Sequence, residues 1–421
     1  MLSTDTKNEL VNNSILNPII GENEGFTKEN DDFGYNDLGR NTVKFFKNQK
    51  DPYVVMLSGE WGSGKTIFSK KLAGEFRKKH KDISVLEFDA FAYDYMKDAF
   101  LAITSQLLKY PEFKKLQDTA VKLGTALSIG LNIFGISDIF GIPANDIGKI
   151  IKQHYEKEQS DDEIIKEFRE QLKAITQTNK LVIIIDELDR CRPDFSLSLL
   201  EIIKHFFNIP NIHFLLVTNK KQLCNSIEHC YGCKTDQAEK YLEKFYDIDL
   251  KLPFNTKDKN TQVTTYIKKF FEEQNLPFNN DTIQNTMVHL IMEKDISLRE
   301  LSKILRISIF IINAFKDENY NTLIVFALVM TKLTKNDIYE KLLNSCNQPV
   351  LDSKIINEIE SIFGNKNLFE GSKQYLQNRL PEINDILRNT AIKEVCHLIE
   401  QCYPLSNVKT ISDGDDEQVD S

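Results

Sequence analysis

The stretch that most constrains this chain is residues 53–66, Tyr-Val-Val-Met-Leu-Ser-Gly-Glu-Trp-Gly-Ser-Gly-Lys-Thr. An apolar run from Val54 to Leu57 leads into a loop of the pattern Gly-x4-Gly-Lys-Thr, and a helix-like segment from Ile67 to Phe76 follows. A strand, a glycine loop and a helix in this order distinguish a phosphate-binding loop from a chance match to the pattern. The stretch therefore predicts an α/β domain that binds a nucleotide.

Each part of this loop has an expected role in holding ATP and Mg²⁺. The glycines let the backbone bend so that successive N–H groups point at a polyphosphate, and the helix N-terminus adds partial positive charge. Lys65 is expected to reach the β- and γ-phosphates, and the Thr66 hydroxyl to bind Mg²⁺. Trp61, the only tryptophan, is expected to pack within the loop or shield the adenine side. The predicted nucleotide-binding residues are Gly59, Glu60, Trp61, Gly62, Ser63, Gly64, Lys65 and Thr66.

A second motif, Leu181-Val-Ile-Ile-Ile-Asp-Glu-Leu-Asp-Arg-Cys-Arg-Pro193, complements the loop. Its apolar residues predict a central strand, so Asp186 would lie at the carboxyl edge of the sheet, where phosphates bind in such folds. Asp186 is then expected to hold Mg²⁺ opposite Thr66, and Glu187 to act as general base on the attacking water. Adjacent Asp and Glu favour hydrolysis over simple binding. A strand followed by a charged loop without function is the alternative.

Five further residues receive weaker predictions. Thr218 and Asn219 end the next apolar strand, Phe214-Leu-Leu-Val-Thr-Asn219, and a polar side chain there is expected to sense the γ-phosphate or the water, unless both are turn residues. Arg190 or Arg192 is expected to neutralise charge in the transition state, and a surface salt bridge is the alternative for either. Arg299 is expected to report the nucleotide state to a helical domain.

The order of apolar runs predicts a mostly parallel sheet flanked by helices, followed by an all-helical domain. Further strands are predicted at Ile83–Ala92, Leu181–Ile185, Ile212–Val217 and Tyr246–Leu252, with helices at Ala99–Leu108, Ile147–Ala174 and Phe195–Phe207. From about residue 256 the apolar residues fall at helical spacing, in segments 262–273, 283–293, 297–315 and 320–333.

These patterns predict four parts. They are a flexible arm over residues 1–33, a nucleotide-binding domain over 34–255 with a helical insert around 110–175, a helical domain over 256–410, and a disordered acidic tail over 411–421.

Residues 120–142 form the most apolar long segment, but Lys122, Asn132 and Asp138 interrupt it. A membrane span needs about 20 predominantly apolar residues with few or no charges. We therefore expect a helical hairpin on the core, with contact to a membrane or partner surface as the alternative.

The formal net charge of −9 excludes a global basic field for nucleic acid. A local contact would need short basic segments such as Arg77–Lys81 or Lys220–Lys221. Seven scattered cysteines and the absence of a secretory pattern at the N-terminus indicate a cytoplasmic protein.

Together the two motifs resemble those of the KAP family of P-loop NTPases. Asp37-Leu-Gly-Arg40, the run from Tyr241 to Pro253 and the segment around Arg299 agree with it, so the resemblance spans about residues 35–310. It implies an ATPase core similar to AAA+ and STAND proteins. Many members have two aspartates where this chain has Asp186-Glu187, an aspartate where it has Asn219, and membrane helices where it has residues 120–142.

The resemblance implies an ATPase that acts as a nucleotide-driven switch or scaffold, with a protein partner or a second copy of the chain. Bacterial members are associated with phage exclusion and other defence, and animal members with membrane signalling. A nucleic-acid-associated motor or loader is the alternative. A small-molecule kinase fits less well because an activated water would compete with the substrate, and a binding module without turnover also stays open. ATP is preferred over GTP only by family resemblance, and no Asn-Lys-x-Asp motif is present.

Overall fold

A computed structural model of the chain describes residues 20–27, 34–60, 62–96, 98–127, 133–156, 160–252, 256–273, 296, 298–314, 322–345, 354, 358 and 395–401. The described residues divide into two compact units, one within Pro18–Phe254 and the other within Asn255–Ser421.

The first unit is built on a five-stranded sheet in which every strand pair is parallel. The spatial order is β2-β3-β4-β1-β5. This confirms the predicted α/β fold with a parallel sheet. The strands are β1 (Tyr53–Ser58), β2 (Ile83–Asp89), β3 (Lys180–Asp186), β4 (Ile212–Thr218) and β5 (Ile248–Lys251).

The position of each strand follows from its sequence. All seven residues of β4 are buried, and so are five of the seven in β3, as expected for central parallel strands with continuous apolar runs. Strand β5 contains no fully buried residue and pairs only with β1, which confirms the predicted strand with a solvated face. Since parallel strands point the same way, Ser58, Asp186 and Thr218 come to the same edge of the sheet.

Helices cover both faces of this sheet. One face packs Phe46, Phe68 and Phe76 from the first two helices, and the other packs aromatic residues such as Phe100 and Phe168. The helices are α1 (Asn36–Asn48), α2 (Lys65–Lys79), α3 (Ala90–Tyr93), α4 (Ala99–Leu107), α5 (Gln117–Leu127), α6 (Ile133–Phe140), α7 (Ala144–Glu156), α8 (Asp161–Thr176), α9 (Pro193–Phe206), α10 (Lys220–Tyr231) and α11 (Thr235–Leu242). Short 3₁₀ turns occupy Asp94–Met96, Pro111–Leu116, Leu188–Arg190 and Glu243–Phe245.

Within the apolar segment 120–142, residues 120–127 belong to α5 and residues 133–140 to α6. Ala120 and Leu123 pack into the main core, while Val121 and Ile136 belong to a small cluster with neighbouring helices. Lys122 pairs with Glu167 at 3.5 Å, so its charge is neutralised where α5 meets α8. The described parts of the segment therefore pack on the core, as expected. Among the residues described, no helix combines the length and apolar character needed to cross a membrane.

The expectation of a loose arm over residues 1–33 is wrong for residues 20–27. Phe26 is buried and its ring lies 5.3 Å from that of Phe68. Its backbone N–H donates to the carboxylate of Glu75 at 3.2 Å, and Gly74 lies against the backbone of Glu24. One aromatic residue in a polar stretch therefore anchors the segment to α2. The rest of the predicted arm lies outside the described residues.

Nearly all described residues of the second unit are helical. Its helices are α12 (Thr256–Glu273), α13 (Leu298–Ala314), α14 (Thr322–Thr334) and α15 (Asn336–Ser345), and residues 395–401 are also helical. The buried Lys332 pairs with Glu400 at 2.6 Å and lies over the ring of Tyr339, which ties residues 395–401 to α14 and α15. Three of the four predicted helical segments are confirmed. The predicted helix 283–293 and the tail 411–421 lie outside the described residues.

Candidate nucleotide-binding site

The glycine loop between β1 and α2 adopts a conformation that needs glycine. Gly62 and Gly64 have φ values of 82° and 87°, in the left-handed region that L side chains rarely adopt. A Cβ atom on Gly64 would lie 2.9 Å from the hydroxyl of Tyr35. That hydroxyl donates to the carbonyl of Ser63 at 3.0 Å. Tyr35, which the sequence interpretation missed, therefore holds the loop from the segment that precedes α1.

Lys65 is the first residue of α2 and is buried inside the loop. Its Nζ donates to the carbonyl oxygens of Gly59 at 2.7 Å and Glu60 at 2.8 Å, and to the hydroxyl of Ser63 at 3.4 Å. Burial lowers the pKa of Lys65, and the surrounding carboxylates, Asp189 foremost, act in the opposite direction. The ammonium group thus lies within the loop where phosphates are expected, close to the acidic residues that follow β3.

Asp186 ends β3 beside Thr66. Burial raises the pKa of Asp186, whereas a hydrogen bond with the Thr66 side chain and one from the backbone N–H of Glu187 at 2.8 Å lower it. The two oxygen donors predicted for Mg²⁺ are therefore adjacent and fit that ion. The described residues contain no group of three His, Cys, Asp or Glu suited to a metal. Mg²⁺ does not need one, because it typically uses one or two carboxylates together with phosphate oxygens and waters.

Glu187 has an unusual backbone and a charged partner. Its φ of 60° and ψ of 25° lie in the left-handed region, which is uncommon for a residue other than glycine. Its Oε2 is 2.5 Å from Nε of Arg190. Burial and the neighbouring Asp186 raise the pKa of Glu187, while Arg190 lowers it. A carboxylate with a raised pKa at this edge of the sheet suits proton transfer. Arg190 contacts the predicted base directly.

Asn219 connects the end of β4 to the glycine loop. It is 3% exposed and caps α10, with its Oδ1 accepting the backbone N–H of Lys221 at 3.1 Å. Its Nδ2 donates to Oε2 of Glu60 at 3.1 Å. The structure thus brings the predicted sensor residue into direct contact with a loop residue.

The loop after β3 holds the end of β4 through Asp189. One carboxylate oxygen of Asp189, Oδ1, accepts the Thr218 hydroxyl and the Asn219 backbone N–H, both at 3.1 Å. The sequence interpretation gave Asp189 no role, although its place in the second motif was the available signal.

The remaining predicted residues are Arg192, Arg299 and Trp61. Arg192 binds Asp94, with its backbone N–H on the carboxylate at 3.1 Å and its guanidinium on the carbonyl at 2.6 Å, so its alternative as an ion pair is confirmed. Arg299 is exposed in α13 of the second unit. Trp61 lies outside the described residues.

Three side chains of the basic segments considered for nucleic acid pair with acidic groups. Arg77 pairs with Glu87 at 2.6 Å, and Lys79 pairs with a neighbouring glutamate on α2. Lys220 lies 3.7 Å from Asp249 and donates to the hydroxyl of Tyr246 at 2.9 Å. These contacts neutralise part of the positive charge that such an interface would need.

The model of the KAP family P-loop domain matches residues 39–312, which is more than half of the chain and contains both motifs and Arg299. The chain belongs to the KAP family of P-loop NTPases. The glycine loop of this KAP protein lies within the matched P-loop domain.

The KAP protein also resembles several solved structures at a distance. They include Aeropyrum pernix ORC2 in its ADP form, with 14% identity, a TM-score of 0.37, and 87% of this chain and 94% of that chain covered. Aeropyrum pernix ORC1 in complex with DNA is 11% identical with a TM-score of 0.37, and the match covers 91% of this chain and 86% of that chain. AMPPCP-bound DnaA from Aquifex aeolicus is 14% identical with a TM-score of 0.30, and the match covers 92% of this chain and 90% of that chain. None of the curated proteins matches the chain significantly.

Proposed function

We propose that this KAP protein binds ATP with Mg²⁺, hydrolyses it, and uses its nucleotide state as a switch or scaffold. The observation that carries the proposal is the adjacency of Asp186 and Glu187 at the end of β3, next to Lys65 and Thr66. A binding loop alone would not require a second carboxylate with a raised pKa beside the first.

In the proposed reaction, the loop N–H groups and Lys65 hold the β- and γ-phosphates. Thr66 and Asp186 would hold Mg²⁺, which supplies charge neutralisation on the phosphate oxygens. Water attacks the γ-phosphorus, the bond to the β–γ bridging oxygen breaks, and ADP and phosphate form. Glu187 accepts the proton of the water. Arg190, held against Glu187, keeps that carboxylate ionised and oriented.

Asn219 supplies the proposed link between the reacting end of the nucleotide and the rest of the sheet. Its amide group reaches Glu60 in the loop, while its Oδ1 caps α10. A change at the γ-phosphate would therefore act on the start of α10. Arg299 is proposed to carry the state into the helical unit, as the family resemblance implies.

No specific observation favours the alternative of a nucleic-acid motor. Three of the basic side chains that would serve it, Arg77, Lys79 and Lys220, pair with Glu87, Glu75 and Asp249. The proposed output is therefore association with a protein partner or a second copy of the chain.

Steady-state hydrolysis tests the ATPase proposal. Purified wild-type protein should release phosphate from ATP only with Mg²⁺, and Lys65→Ala should abolish this turnover. Lys70→Ala is a matched control, because Lys70 is an exposed lysine on the same helix. Turnover in Lys65→Ala equal to wild type would contradict the proposal. Strong stimulation by DNA would favour the motor instead.

Amide hydrogen exchange tests the switch. ATP should change protection of helices α12 to α15 in a Glu187→Gln variant that retains bound ATP, and the mass of the particle in solution should change with it. Identical exchange and mass with ATP and with ADP would contradict a switch.

The finer proposal of a role in anti-phage defence rests on family resemblance. Expression of the chain in a phage-sensitive bacterium should lower phage plating efficiency, and Lys65→Ala should restore it. Equal plating with and without the chain, across a panel of phages, would contradict this role.

A further inference from the structure

The carboxylate of Asp189 accepts hydrogen bonds from two consecutive residues of another element. Its Oδ1 receives the Thr218 hydroxyl and the Asn219 backbone N–H, both at 3.1 Å. Thr218 is 0% exposed and Asn219 is 3% exposed, so both donors are shielded from water. Donors shielded in this way depend on the partner that the protein provides.

The register of the sheet explains why this contact is available. Asp186 on β3 is level with Val217 on β4, so the loop after β3 and the last residue of β4 lie side by side. Asp189 is in the 3₁₀ turn Leu188–Arg190, directly after the acidic pair. The turn that presents Glu187 therefore also fixes the end of β4.

The contact continues from Asn219 to the glycine loop. Asn219 donates from Nδ2 to the Glu60 carboxylate at 3.1 Å, and the Glu60 carbonyl accepts from Lys65 at 2.8 Å. Among the carboxylates around Lys65, Asp189 does most to raise the lysine's pKa against the lowering effect of burial. Asp189 thus holds the backbone of the residue whose side chain reaches the loop.

We propose that Asp189 is a positioning residue for hydrolysis, which acts by fixing Asn219 against Glu60 in the phosphate-binding loop. This role rests on the proposed ATPase function. Asp189 acts through the backbone of Asn219. Removing the Asp189 carboxylate should therefore let the Asn219 side-chain amide move away from Glu60, without removing any group that holds the phosphates. The effect should appear in kcat and leave ATP affinity nearly unchanged.

The test compares single-site variants with a double-mutant cycle. Asp189→Ala removes the acceptor, Asp189→Asn keeps an acceptor oxygen without the charge, and Thr218→Val removes one donor with little change of shape. Asp194→Ala is the matched control, since Asp194 lies in the first turn of α9 and pairs with Arg192. Each variant is measured for kcat, for ATP affinity and for melting temperature.

The expected result is a kcat for Asp189→Ala that is about tenfold or more below wild type, with ATP affinity changed by less than about twofold. The kcat values of Asp189→Asn and Thr218→Val should lie between those of Asp189→Ala and wild type, and the kcat of Asp194→Ala should equal that of wild type. Because Asp189 acts through Asn219, the double variant Asp189→Ala/Asn219→Ala should be no slower than Asn219→Ala alone. If Asp189→Ala fails to fold, Thr218→Val with Asn219→Ala provides the same cycle.

Three outcomes overturn the inference. They are a wild-type kcat in Asp189→Ala, independent losses in the double variant, and a loss of ATP affinity as large as the loss of kcat. If the wild-type protein itself shows no Mg²⁺-dependent turnover, the proposed ATPase function fails first and the inference falls with it. A hydrolysing wild type beside an unaffected Asp189→Ala overturns the inference alone.

Discussion

Asn219 donates a hydrogen bond from Nδ2 to Oε2 of Glu60 at 3.1 Å, which joins the end of β4 to the phosphate-binding loop. The contact connects residues far apart in the chain and pairs an amide donor with a carboxylate acceptor. An aspartate at position 219 would face the Glu60 carboxylate, so the two positions are chemically coupled.

The variant Asn219→Asp tests this coupling. Two carboxylates at this distance repel each other, and kcat should fall about tenfold or more. Adding Glu60→Gln removes the repulsion and restores an amide–carboxylate pair with the two groups exchanged, so it should recover most of the activity. Turnover of Asn219→Asp equal to wild type would show that the contact has no role.

The pH dependence of hydrolysis should depend on Arg190. Burial and Asp186 raise the pKa of Glu187, and Arg190 lowers it. Since a general base must be ionised, activity is lost as pH falls through this pKa. Arg190→Gln removes the lowering influence, so the acid limb of the kcat profile should move to higher pH, whatever happens to the maximum rate. Arg192→Gln is the control, because Arg192 binds Asp94. An unmoved limb in Arg190→Gln would contradict Glu187 as the base.

Gly64→Ala should abolish ATP binding. The φ of 87° disfavours any side chain, and the new Cβ would lie 2.9 Å from the Tyr35 hydroxyl that holds Ser63. Isothermal titration with ATP measures the loss. Gly148→Ala provides the control: Gly148 is helical and a Cβ atom added there would meet nothing within 4 Å, so alanine should leave binding intact. It should also stabilise the fold by about 0.5–1 kcal/mol. Wild-type affinity in Gly64→Ala would contradict the loop geometry.

His213 should make the first unit sensitive to acid. It is fully buried on β4 beside the ring of Phe46, and burial together with the charge of Lys180 lowers its pKa from 6.5 to about 4. The unfolded chain therefore binds a proton between these values that the folded state does not, and stability falls as pH falls through this window.

The free energy of unfolding should drop by about 3 kcal/mol over this range from His213 alone. Denaturant unfolding of wild type and His213→Phe, at neutral and acidic pH, gives the loss of unfolding free energy on acidification for each protein, and the two losses are compared. Equal acid sensitivity in both proteins would contradict a neutral buried His213.

The sequence predicted the parts of this site that depend on local pattern. The loop around Lys65, the buried run ending in Asp186 and the order of the strands each follow from spacing and apolar character within a short window. The parallel sheet then brings Asp186 and Thr218 to one edge, which topology alone ensures.

The missed features depend on side chains that meet across long separations. Asp189 and Asn219 are 30 residues apart, and their contact depends on strand register that no local pattern contains. Tyr35 reaches Ser63 from the segment before α1, and Phe26 packs on Phe68 from a stretch whose polarity suggested a loose arm. Arg190 and Arg192 are two arginines of the same charged loop, and the sequence alone does not show which one contacts the predicted base. In the structure Arg190 pairs with Glu187, whereas Arg192 pairs with Asp94.

Comparison of wild type with Glu187→Gln tests most directly whether this KAP protein hydrolyses ATP at the end of β3. Glutamine keeps the size of the side chain and removes its ability to accept a proton. If Glu187 is the general base, Glu187→Gln should bind ATP with wild-type affinity, while Mg²⁺-dependent turnover should fall by about a factor of 10²–10⁴. Turnover at the wild-type rate in Glu187→Gln, with ATP bound equally well, would contradict it.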